Sequence, residues 1–137
     1  MKLVTQETES DCGPAAVATL CGITLREACD YIQGLKGKKG KTSSGYLLKA
    51  IRHFGREPLA AQCTKLGDRQ LHDLEHDALL GCFTLAAAST DRLKEGTSRK
   101  FYRYKHWAVW DAKAKTILDP YKHRLPLLID KLVEVSQ

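Results

Sequence analysis

The chain has 137 residues, 43% of them hydrophobic and 28% charged, with a net charge of +6, which is the make-up of one folded domain with its own core and excludes a disordered or fibrous chain. No apolar run approaches the roughly 20 residues that a membrane-spanning helix needs, and the opening MKLVTQETES has no apolar signal core, so a cytoplasmic protein is expected. The five cysteines, Cys12, Cys21, Cys29, Cys63 and Cys82, form no CxxC pair, and their odd number argues for reduced thiols over a full disulfide framework.

The first predicted element begins at Cys12, where Gly13 and Pro14 lead into Ala15, Ala16, Val17 and Ala18, an apolar run suited to a helix buried almost all round. Asp11 or Ser10 can cap it, and Pro14 fits a first turn that needs no N–H. A cysteine at such a start meets unpaired N–H groups and the positive end of the helix dipole, which favour the thiolate, the nucleophilic form. Gln6, six residues earlier, has a carboxamide that can join the Cys12 backbone N–H in facing one developing oxyanion. Taken alone, Cys12 has the plainer alternative of a small buried hydrophobe.

Cys21-Gly22 stops this helix, and Thr24 with Glu27 has the spacing of a capping box for a second helix from about Leu25 to Ile32, with Leu25, Ala28, Cys29 and Ile32 inward. A glycine-lysine loop from Gly34 to Gly40 follows. Thr42, Ser43 and Ser44 cap a third helix striped by Leu47, Leu48, Ile51 and Phe54 and ended by Gly55. Glu57 to Gln62 reads as a short strand, and Gly67-Asp68 opens a shorter helix carrying Leu71 and Leu74. The run ALLGCFTLAAA from Ala78 reads as a buried strand, and Ser89 to Lys100 as an exposed loop near the entrance of any site. Phe101 to Asp111 alternates as a strand, with His106 on the face of Tyr104, Ala108 and Trp110. Trp107 lies on the other face, so at least one of the two tryptophans is core. After a turn at Ala112-Lys113-Ala114 the chain returns through Lys115 to Leu118, and Leu127 to Val135 is a closing helix or a terminal strand.

This hairpin brings the rest of a cysteine-hydrolase constellation, because a thiol nucleophile needs a base within reach and a group that orients the base. A turn centred on Ala112-Lys113 sets His106 directly opposite Asp119, with Cβ atoms about 5 Å apart. No Asn-Gly or Asp-Gly fixes that register. Two other motifs carry less. His72-Asp73-Leu74-Glu75-His76 has a zinc-binding spacing, but an acidic helix of this kind reads as a solvated face, and no metal is expected. The run from Gly37 to Ser43 lacks the four-residue glycine spacing of a phosphate-binding loop and follows a helix. The lysines from Lys36 to Lys41 and the basic residues from Arg92 to Lys105 permit contact with nucleic acid or an acidic partner without demanding it, and no nucleic-acid-binding motif accompanies them.

With Gln6, Cys12 within DCGPAA, TSSGYLLKAIRHFG, HWAVW and LDP in place, the chain resembles the bacteriocin-processing cysteine peptidases, papain-like domains that cut leader peptides after a double glycine. The resemblance spans Gln6 to about Pro120. It implies an α+β fold, helices against a small antiparallel sheet with the site in the cleft between them, in a single domain over residues 1–137. It further implies Cys12 as nucleophile, His106 as base and then acid, Asp119 as orienter and Gln6 as oxyanion-hole side chain, acting on a peptide or protein substrate without a cofactor. Two alternatives stand beside it: a non-catalytic module of the same fold that binds peptide, protein or nucleic acid, and acyl transfer or deamidation on the same triad. The intact set of four groups speaks against the first. The other four cysteines are expected to be inert.

Overall fold

A computed structural model describes residues 1–8, 10–37, 42–85, 103–121 and 127–137. Three helices, α1 (Cys12–Cys21), α2 (Leu25–Lys36) and α3 (Ser44–His53), are followed by strands β1 (Thr64–Lys65), β2 (Ala78–Leu85), β3 (Arg103–Asp111), β4 (Thr116–Leu118) and β5 (Leu127–Glu134). The described strands form one antiparallel sheet in the order β1-β5-β2-β3-β4. The architecture is therefore α+β, with the three helices packed on one face of the sheet.

The helix α1 is buried from Cys12 to Leu20, as its run of small apolar residues requires, since such a helix keeps no polar face for solvent. Its one buried hydroxyl is satisfied on both sides: Thr19 Oγ1 donates to Ala15 O at 2.9 Å and accepts from Val4 N at 3.0 Å. The predicted capping box starts α2, with Glu27 N donating to Thr24 Oγ1 at 3.0 Å and Thr24 N to Glu27 Oε1 at 3.2 Å. This helix runs past Ile32 to Lys36 and ends at Gly37 in the left-handed conformation, φ 72°, so Gly34 is helical and the predicted loop begins later. Residues 38–40 of that loop, with 41 after it, lie outside the described residues, as do 86–102 with the predicted Ser89 to Lys100 loop.

Helices and sheet share a core of Val17, Ile32, Leu47, Ile51, Leu79, Trp107, Val109 and Val133. The opposite sheet face buries Leu80, Cys82, Ala108, Trp110 and Leu132 under Leu74. Both tryptophans are thus core residues, one on each face. Residues Leu127 to Glu134 resolve as a strand inserted between β1 and β2, where Ile129 and Val133 suit a pleated surface.

Three expected elements differ. The strand expected over Glu57 to Gln62 is a single bridge, Pro58 to Val135, because Pro58 has no N–H to extend a ladder and Leu59 to Gln62 lie exposed in bends. The true short strand follows at Thr64–Lys65. The helix expected after Gly67 is one 3-10 turn, Leu71–Asp73, so His72 and His76 do not share a helical face. His72 packs edge-on to the Trp110 ring at 5.5 Å, whereas His76 Nδ1 lies 3.2 Å from Glu134 Oε2.

The third difference concerns the hairpin. Its turn spans residues 112–115, and β4 pairs Leu118 with Val109 and Thr116 with Asp111, which carries Asp119 toward Ala108 and not opposite His106. The turn is set by Asp111, whose Oδ1 accepts from Lys113 N and Ala114 N, both at 3.1 Å, and by Lys115 at φ 54°. A side chain that bonds its own turn substitutes for the missing glycine signal.

Candidate active site

Cys12 is the first residue of α1 and is only 3% exposed. Asp11 takes the N-cap position, but its carboxylate makes no cap bond and instead accepts from Thr8 N at 3.2 Å. The ordinary helical ladder begins with Ala15 N to Asp11 O at 2.9 Å, so the N–H groups of Cys12 and Gly13, ahead of it, have no intrahelical acceptor. Gly13 packs tightly against α3, because a Cβ there would lie 2.9 Å from Leu47 Cδ2.

His106 on β3 and Asp119, just after β4, form a hydrogen bond of 2.6 Å between Nε2 and Oδ1. The altered register does not separate them. β4 pairs only with Val109 to Asp111, so among the described residues the flank of β3 away from β2 has no partner strand at His106, and the chain leaving β4 brings Asp119 to it. The carboxylate is fixed in turn by Tyr121 N, which donates to the same Oδ1 at 2.9 Å. Cys12 is the other group that acts on the His106 ring, and the ring nitrogen that Asp119 does not engage is Nδ1. Burial, the largest influence on His106, favours the neutral ring, but the bonds to Asp119 and Cys12 and their charges together outweigh it and raise its pKa to about 9. The imidazole is therefore a cation at neutral pH, held between a carboxylate and a sulfur.

Gln6 is buried at 8% exposure. Its backbone N–H donates to Pro120 O at 2.9 Å, which ties the N-terminal segment to the residue following Asp119. Its Nε2 donates to Thr8 O at 2.9 Å, while Oε1 has no partner among the described residues. The carbonyl of Thr8 fixes this amide orientation, since only the NH2 end can face an acceptor, and the second Nε2 proton stays uncommitted.

The cleft beside Cys12 holds about 470 Å³ and is lined by Ser43, Gly81, Cys82, His106, Trp107 and Lys131, among others. Trp107 Nε1 donates to Thr42 O at 3.0 Å, which joins β3 to the segment before α3 and closes one wall. A larger depression of about 1070 Å³ lies elsewhere, around Met1, His76 and Asp111. It contains none of the four predicted site residues. Burial pushes Cys82 up to about 12, with Asp119, Cys12 and Asp130 adding to it, and burial raises Cys21 and Cys29 to about 11 and Cys63 in the same direction. These four are protonated at neutral pH. Among the described residues no group of three or more His, Cys, Asp or Glu could hold a metal ion.

Lys131 and Asp130 were not foreseen from the residue pattern; they line the cleft where β5 bulges, Gly81 pairing with Lys131 but Cys82 with Ile129. The one available signal was Gly81 inside an apolar strand, a mark of a bulge or a close approach. The chain matches no protein-family model and no curated protein.

Proposed function

We propose that the protein is a cysteine hydrolase that cleaves a peptide bond, a cytoplasmic papain-like peptidase related to the double-glycine leader peptidases that its motifs resemble. The observation that carries the reading is the His106–Asp119 pair in the cleft beside Cys12, with Nε2 to Oδ1 at 2.6 Å and the imidazole raised to about 9. A positioned cation beside a sulfur at a helix start holds that sulfur as the nucleophile.

In the first step the Cys12 sulfur attacks the amide carbonyl carbon. The charge gathering on oxygen meets the Cys12 N–H and the uncommitted Nε2 proton of Gln6. His106 then passes its Nδ1 proton to the leaving nitrogen as the C–N bond breaks, which leaves a thioester and a neutral imidazole. That imidazole takes a proton from water as the water oxygen attacks the thioester. Release of the acid regenerates the Cys12 sulfur and the imidazolium, while Asp119 holds the ring in one orientation throughout.

The test is digestion of a complex peptide mixture, with new N-termini read by mass spectrometry. The wild type is expected to create a reproducible set of new termini that Cys12→Ala does not. Equal patterns from both proteins would remove the peptidase reading.

A further inference from the structure

Gly81 and Lys131 face each other across the β2–β5 bulge. A Cβ on Gly81 would lie 2.8 Å from Lys131 Cγ, 3.0 Å from its Cε and 3.2 Å from Trp107 Cζ3. The aliphatic stem of Lys131 is thus laid flat over the glycine, and its ammonium stands 5.6 Å from the centroid of the Trp107 ring. Trp107 neighbours His106 in sequence, and all three side chains line the cleft that contains Cys12.

The charge balance of this wall is uneven. Asp130, the bulged residue beside Lys131, places its carboxylate 2.7 Å from Lys65 Nζ. Among the described residues no carboxylate forms a salt bridge with Lys131, which leaves a half-buried cation in the cleft over the aromatic face of Trp107. A cation held by its stem against glycine and tryptophan loses less freedom on pairing than a lysine that swings freely in solvent.

On the strength of the hydrolase reading above, we propose that Lys131 is a specificity-determining residue that selects peptides carrying a carboxylate close to the scissile bond. The carboxylate is that of an Asp or Glu side chain or of the peptide's own C-terminus. Gly81 serves the same subsite by leaving room for the lysine stem, and Asp130 is kept from competing for the ammonium by Lys65.

The test uses a proteome-derived peptide library in which the residues on both sides of every cut are read by mass spectrometry. Wild-type cuts are expected to show Asp and Glu, or a free C-terminus, enriched about threefold to fivefold within the first few positions, the size of an exposed ion pair. Lys131→Met keeps the stem and is expected to abolish the enrichment; Lys131→Glu should turn it toward Lys and Arg. Lys113→Glu makes the same change in net charge on the exposed hairpin turn and should leave the enrichment in place. The position of the enriched group separates side chain from C-terminus. Cutting without acidic enrichment, or enrichment that survives in Lys131→Met, overturns this inference alone. No Cys12-dependent cutting at all overturns the hydrolase reading and this inference with it.

Discussion

His106 concentrates the chemistry of the site, because one buried ring is bonded to Asp119 through Nε2 and is also acted on by Cys12. Its charge is maintained against burial by those two partners. Replacing Asp119 by Asn removes the charge and most of the advantage of the short bond, so the imidazolium should titrate well below about 9. The basic limb of activity or of Cys12 alkylation is expected to move to lower pH in Asp119→Asn, as is the His106 ring titration followed by NMR. An unmoved limb would separate Asp119 from the role of orienter. The same shift bears on stability. A group whose pKa is raised on folding stabilises the native state fully below its unfolded value of about 6.5. That contribution is lost as pH rises through about 9.

At the scale of elements, the site depends on a helix start and a hairpin that are legible in the sequence to different degrees. The start of α1 at Cys12, the capping box at Thr24 and the strand alternation around His106 follow from local residue pattern and were readable. The hairpin register was not, because Asp111 sets the turn through its own carboxylate and no glycine pair marks it. The β5 bulge was equally hidden, since it arises where three strands compete for space around Gly81. The helix expected to carry His72 and His76 was misread, because a helical period was assumed where only a 3-10 turn forms. Gly13 gives a test of the helix placement. Ala would gain roughly 1 kcal/mol of helix propensity but must push Leu47 away from a 2.9 Å approach, an overpacking cost of about 1–3 kcal/mol. Gly13→Ala is therefore expected to be destabilised by about 1 kcal/mol in urea unfolding. A stabilised variant would mean that α1 lies farther from α3.

Across the whole molecule, Arg56 ties together parts that are far apart in sequence. Its guanidinium donates to Leu20 O at 2.8 Å and Ser136 O at 2.7 Å and pairs with Asp77 at 3.1 Å. Both side chains of that pair are largely buried, at 13% and 15% exposure. Asp77 meanwhile accepts from Ala112 N at 2.9 Å, so the clamp reaches the hairpin turn. Arg56→Met would leave Asp77 without its cation, and a loss of about 2–4 kcal/mol is expected in denaturant unfolding. The rate of Cys12 labelling in the folded variant should stay near wild type, because Arg56 is not among the residues lining the Cys12 cleft. A loss under 0.5 kcal/mol on the order of a surface pair would show that the clamp does not hold the C-terminal segment to the helices.

The central claim is that Cys12 is a nucleophile maintained by the His106–Asp119 pair. It is tested most directly by the rate of iodoacetamide alkylation at each cysteine, resolved by peptide mass spectrometry at about pH 6.5, where an ordinary thiol is almost wholly protonated. Cys12 should react at least about tenfold faster than Cys21, Cys29, Cys63 and Cys82, whose thiols burial keeps protonated, and His106→Ala should remove that advantage. Labelling of Cys12 at the pace of the other four, or a fast rate that does not depend on His106, would contradict it.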